Sequence, residues 1–245
     1  MFQCPNCGHH LLGREARCPA CGQSTPLSPP RHNLSPPRIP QSLPLGNYVK
    51  VGWELFKHYP YGFIAFCLLN IFINAVLNAI PLLGPLASLA LSLPLVMGNF
   101  IVAARLLQGQ TPQFRDFFSA FSFFWPLFLV SLISSILIAI GMILLIIPGV
   151  YLMVSYLFAS CLVIDGSQDF WPAMELSRRT VMPQWFGFFA FLLLLIVMNL
   201  AGALLLGLGL LATIPISFCA LTVAYNDLFG FKSDYTQGVP KLKAG

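Results

Sequence analysis

The sequence predicts an all-α integral membrane protein of six transmembrane helices, arranged as three hairpins with both termini on one side, preceded by a small cysteine-containing module on a Pro-rich linker. Three observations carry this. No Lys, Arg, Asp or Glu occurs in 58–104, 117–164 or 180–226, runs of 47, 48 and 47 residues. One span needs about 20 apolar residues, so each run holds two spans and a tight turn. Every charge therefore falls on the same side of the bilayer. The composition agrees, with only 9% charged residues against a soluble average near 25%.

Four cysteines open the chain as Cys4-Pro-Asn-Cys7-Gly and Cys18-Pro-Ala-Cys21-Gly. Each Cys-x-x-Cys followed by Gly turns sharply enough to present two thiolates, and two such knuckles supply a tetrahedral four-sulfur metal site. The knuckles resemble those of the zinc-ribbon family over residues 2–22. A segment this short cannot build a core that offsets its chain entropy, so bound metal would supply the folding free energy. The expectation is one structural zinc held by Cys4, Cys7, Cys18 and Cys21, with rubredoxin-like iron and a redox dithiol as alternatives. Arg14 and Arg17 lie between the knuckles and offset thiolate charge; His9 and His10 read as solvated loop residues. A zinc-thiolate site suits a reducing compartment, which places the N-terminus in the cytoplasm.

Residues 1–22 are thus read as the zinc ribbon. Residues 23–46, with seven prolines among serines, form a disordered tether. At about 3.1 Å per residue it reaches roughly 70 Å when stretched. The membrane domain covers 47–230, and 231–245 form a cytoplasmic tail.

Ahead of each charge-free run stands an amphipathic segment: YVKVGWELFKHY (48–59), PQFRDFFSAF (112–121) and DFWPAMELSR (169–178). Aromatics beside a few charges suit the headgroup layer. In the first, Val49, Trp53 and Phe56 are expected on one face and Lys50, Glu54 and Lys57 on another. The chain therefore reads as three units of interfacial segment plus hairpin, with a period near 60 residues and no residue-by-residue identity among them.

The spans are expected at about 61–80, 85–106, 123–147, 149–165, 184–206 and 209–228. Pro81–Pro85, Pro148-Gly149 and Gly207–Gly209 mark the turns. The fourth span is short enough to sit shallow or to begin before Pro148. Pro94 and Pro215 predict local kinks. Lys and Arg occur only in the segments around the runs, so the positive-inside rule puts both termini in the cytoplasm. No secretory signal precedes residue 58, and the first span is expected to act as an uncleaved insertion signal.

Asn70, Asn74 and Asn78 recur every four residues, giving the first span a polar face. It serves either interhelical hydrogen bonding or the lining of a substrate path. Cys67, Cys161 and Cys219 sit singly in apolar runs and read as packing residues. The runs hold no ionisable group except His58 at a boundary, which argues against an ion-coupled pump. Asp116, Asp165, Asp169, Glu175, Asp227 and Asp234 are spread over boundary segments and read as helix caps, partners of nearby Arg or solvated loop residues; without a catalytic motif, no catalytic residue is assigned.

From Pro148-Gly149-Val150-Tyr151-Leu152 through Val163-Ile164-Asp165-Gly166, Ala173-Met174-Glu175-Leu176-Ser177-Arg178-Arg179 and Trp185 to Tyr225-Asn226-Asp227-Leu228, the chain resembles a broad group of uncharacterised bacterial multi-span proteins. That group is related to the membrane domain of some glycerophosphodiester phosphodiesterases. The resemblance covers roughly 46–230 and implies a six-span helical domain of the bacterial inner membrane. It transfers no catalytic residue, because the soluble catalytic barrel of those enzymes has no counterpart here.

The function expected is a non-enzymatic multi-pass membrane protein. Its bundle meets lipid or partner spans, with Arg178 and Arg179 at anionic headgroups, and its ribbon binds a cytoplasmic or membrane protein. The alternative is a permease or lipid-handling facilitator using the Asn70–Asn74–Asn78 face. Two arginines in the ribbon are too weak a footprint for nucleic acid; self-association is left open.

Overall fold

The computed structural model describes residues 2, 3, 10, 11, 21, 43–79, 83–166, 169–205 and 207–231, with only the backbone course over 83–90. The chain divides into two units, 1–35 and 36–245. In the first unit, β1 (Phe2–Gln3) pairs antiparallel with β2 (His10–Leu11).

The second unit is helical. It begins with α1 (Leu45–His58), a single non-helical residue at Tyr59, then α2 (Pro60–Asn78) with proline in its first turn. Pro is tolerated there because that N–H has no helical partner in any case. Next come α3 (Leu83–Leu107), a 3-10 segment (Phe114–Phe123), and α4 (Phe124–Leu144). The stretch Ile146–Ile164 is split into α5 (Ile146–Ser155) and α6 (Ala159–Ile164). The chain closes with α7 (Phe170–Val181), α8 (Trp185–Leu204) and α9 (Leu210–Phe229).

Among the described residues, five helical stretches are long and apolar enough to cross a membrane: Pro60–Asn78, Phe114–Leu144, Ile146–Ile164, Phe170–Leu204 and Leu210–Phe229. The result is an all-α, multi-pass membrane architecture. Leu91–Leu107, within α3, is a shorter apolar stretch. Pro94 and Pro215 both lie inside continuous helices.

The packing follows the three-unit order of the sequence, and it is cyclic. Each amphipathic segment lies on the last helix of the unit before it: the 3-10 segment on α3, α7 on α6, and α1 on α9. First spans also reach the unit before. Besides its own partner, α2 touches α9, α4 touches α3, and α8 touches α5. α3, α6 and α9 thus form an inner layer, and Phe100, Phe158 and Tyr225 meet there as a ring cluster (centroids 5.4 and 6.4 Å from Tyr225). All three rings are buried.

Close approach depends on glycine at a few positions. A Cβ on Gly98 would stand 2.2 Å from the Phe117 carbonyl oxygen, so only glycine lets the 3-10 segment lie on α3. Gly52 plays the same part between α1 and the Ile216–Ala220 stretch of α9. The buried face of α1 is Tyr48, Gly52, Leu55 and Phe56, whereas Trp53, expected with Val49 and Phe56, is exposed. The reason is tertiary: the side of α1 that becomes buried is the side that meets α9.

Candidate functional site: a polar belt at the charged end

One end of the bundle gathers the charges, and several of its helix-to-helix seams carry a polar contact. On α3, Arg105 Nη1 meets Asp116 Oδ2 at 2.9 Å, with the carboxylate only 2% exposed. The same oxygen accepts the Gln113 N–H at 2.7 Å, and Gln113 returns the bond in a capping box. Asp116 therefore caps the 3-10 segment and neutralises Arg105 at once. Next to it Phe117 stacks on Phe66 at 4.3 Å.

At the seam that closes the ring, Tyr48 Oη donates to Asp227 Oδ2 at 2.6 Å across 179 residues of sequence. Burial of the phenol, then the hydrogen bond to and charge of Asp227, push its pKa above the ordinary tyrosine value. Two residues before Asp227, Tyr225 donates to Asp165 Oδ2 at 2.8 Å, in a buried contact between α9 and the end of α6.

The third seam uses a hydroxyl. Between α5 and α6 the helical ladder is interrupted at Tyr156–Phe158. Ser177 of α7 donates to the Ser155 carbonyl at 2.8 Å and accepts the Phe158 N–H at 3.2 Å. One buried side chain thus satisfies two backbone groups that the break would otherwise strand.

On the outer side of α7, Glu175 accepts two bonds from Arg178 (2.9 Å each) and one from Arg179 Nε at 2.6 Å. The guanidinium of Arg178 and then that of Arg179 hold its pKa near 2; Glu175 in turn raises the pKa of Arg178. Arg178 is thereby held by Glu175 and also by Tyr151 of α5, while Arg179 remains 73% exposed.

The aromatic side chains share this end. Trp53, Tyr61, Trp125, Trp171 and Phe186 are all exposed near its helix starts, the arrangement of a membrane-interface belt.

The three amides expected on one face of the first span form a ladder within α2. Asn74 Nδ2 donates to Asn70 Oδ1 (2.7 Å) and to the Asn70 carbonyl (2.9 Å), and Asn78 Nδ2 to the Asn74 carbonyl (2.7 Å). These bonds run along the helix. A cross-helix amide does occur elsewhere: Asn199 of α8 donates to Ser217 Oγ of α9 at 2.8 Å. Cys67, Cys161 and Cys219 are buried.

Of the expected zinc ligands, Cys4, Cys7 and Cys18 lie outside the described residues, and Cys21 is exposed. Among the described residues no group of three or more His, Cys, Asp or Glu is placed to hold a metal ion. Asp116 as a helix cap and partner of Arg105 is of the kind expected for the boundary carboxylates; the contacts of Tyr48, Tyr225 and Ser177 are not. The only available sign was a tyrosine or serine near the polar boundary of an otherwise apolar helix, which does not name its partner.

Comparison of the chain with protein-family models, with curated proteins and with solved structures gave no match.

Proposed function

We propose that this chain is a non-enzymatic, six-span protein of the bacterial inner membrane, with both termini cytoplasmic. In this reading the bundle engages lipid or partner spans, and the N-terminal zinc ribbon is a protein-interaction module on a tether. The observation that carries it is the use made of the polar groups at the charged end. Asp116, Asp165, Asp227 and Glu175 each bond a tyrosine or arginine within the bundle, which is the chemistry of assembly and not of turnover.

The sixth span is supported by α3, whose 25 residues exceed the roughly 20 needed to cross. The orientation is supported by the clustering of Lys, Arg and the tryptophans at one end. For the ribbon, the pairing of Phe2–Gln3 with His10–Leu11 closes a hairpin that brackets Cys4 and Cys7 in sequence, and the knuckle spacing favours one structural zinc on Cys4, Cys7, Cys18 and Cys21. Arg179, exposed beside its neutralised neighbour Arg178, is the stronger headgroup contact of the pair.

The test joins metal content to partner capture. Purified protein should carry one zinc per chain, lost on replacing Cys4 and Cys7 by Ser. Partners captured by the intact chain should be lost both by that variant and by removal of residues 1–45. Turnover of phospholipid by the purified protein would defeat the non-enzymatic reading. For the permease alternative, the Asn70, Asn74 and Asn78 triple change to Leu should leave insertion normal and abolish flux; the present reading expects normal insertion and no change in any transport assayed.

A further inference from the structure

At the end opposite the charges, the hairpin tips show aliphatic side chains where a loop in water would show polar ones. Between α4 and α5, Ile143, Leu144, Leu145, Ile146 and Ile147 are 67–84% exposed; between α8 and α9, Leu204, Leu205 and Leu208 are 69–80% exposed. Both patches continue without interruption into the exposed spanning faces, through Ile136 and Ile140 on α4 and Ile196 and Leu200 on α8. Whatever solvates those faces therefore also reaches the tips.

Length points the same way. The 21 residues of α4 rise about 31 Å at 1.5 Å each, the thickness of the hydrocarbon core. Trp125 stands at the opposite end of that helix, so nothing remains to lift the tip into water.

Part of the tip backbone is satisfied internally, the condition that hydrocarbon favours. Around the α8–α9 tip, the N–H of Gly207 bonds to Ala203, Leu208 to Leu205, Leu210 to Gly207, Leu211 to Leu208, and both Ala212 and Thr213 to Gly209. At the α4–α5 tip the Leu145 N–H bonds to Gly141 and Pro148 has no N–H to satisfy, while Ile146 and Ile147 open α5 without a side-chain cap. Two glycine contacts draw the chains together there. A Cβ on Gly141 would lie 2.9 Å from the Gly149 Cα, and one on Gly209 would lie 2.5 Å from the Gly202 carbonyl oxygen.

We infer that these two tips end inside the far leaflet, capped by phospholipid acyl chains, so that the protein offers no aqueous binding surface there. The sidedness of that leaflet rests on the orientation proposed above; the depth of the tips does not. The full-length chain, reconstituted in phosphatidylethanolamine–phosphatidylglycerol vesicles, is spin-labelled at Ile143→Cys or Leu205→Cys, with Leu208→Cys as a second probe of the same tip. Phe72→Cys on the exposed side of α2 and Gln110→Cys in the polar loop serve as lipid and water references, and the parent chain gives the background.

The expected result is an oxygen collision rate at the tips close to that of the Phe72 label. Collision with a water-soluble nickel chelate should be several-fold lower than at the Gln110 label. Nickel accessibility equal to that of Gln110 overturns the inference, and so does low collision with both reagents, which means cover by protein. Sidedness is read separately, with an impermeant thiol reagent on intact cells. Labelling of Gln110→Cys from outside overturns the orientation and leaves the depth result standing.

Discussion

The two ends of this bundle are held together by different physics. At the charged end, neighbouring helices are joined by named side-chain bonds: Arg105 to Asp116, Tyr48 to Asp227, Tyr225 to Asp165, and Ser177 to the break between α5 and α6. At the other end no charged residue exists, and the hairpins close by backbone meeting backbone at Gly141–Gly149 and Gly202–Gly209. The difference follows from solvent. Where water is near, a polar group left alone is tolerable and a paired one gives register; where only lipid is near, specificity has to come from shape.

Breaking the charged end should be the most damaging. Asp116→Ala strands the Arg105 guanidinium and removes the cap of the 3-10 segment, at about 3–5 kcal/mol for an unpaired buried charge. Thermal unfolding in detergent measures this, and adding Arg105→Met should recover most of the loss. At the apolar end the matching blow is steric. Gly141→Val forces α4 away from Gly149, at about 2 kcal/mol for overpacking against backbone. The loss should appear as a lowered unfolding temperature with the charged-end contacts intact.

Ser177→Ala comes next, at about 1–3 kcal/mol for the groups left unpaired. Its signature is local: faster amide exchange at Phe158, with no change in α2 or α3. The smallest effect belongs to Glu175. Its folded pKa near 2 lies below the unfolded value of about 4.3. The stability it contributes is therefore complete above that unfolded value and fades as pH falls toward 2. Glu175→Gln should abolish this dependence, read from Trp171 and Trp185 fluorescence during acid titration, without altering unfolding at neutral pH appreciably.

Much of the fold was legible because hydrocarbon imposes long-range order on composition. A charge-free run of 47 residues leaves few alternatives to a hairpin, and the glycines at 207 and 209 lie where α8 gives way to α9. The break at Tyr156–Phe158 was not legible. It occurs in the run Val154–Ala159, which contains neither Gly nor Pro, and it persists because Ser177, some 20 residues away, bonds the freed groups. Nor could the segment at 48–59 reveal that its partner is α9. Its amphipathic pattern records that one side is covered, and neither spacing nor composition says by what. For the polar belt, the carboxylates were visible as boundary residues, but of their tyrosine partners Tyr48 sat in a segment that reads as interfacial and Tyr225 near the end of an apolar run.

The seam between α1 and α9 also sets a timetable. The first helix of the bundle to leave the ribosome packs on the last, and Tyr48 waits for Asp227 through 179 residues of translation, roughly ten to forty seconds at about 5–20 residues per second. Through that interval Leu55 and Phe56, which share a core with Ile216 and Cys219 in the finished protein, lack the part of their cover that α9 supplies. A nascent chain stalled before Leu210 is an open ring with one sticky edge, the state that an insertase or a quality-control protease would meet.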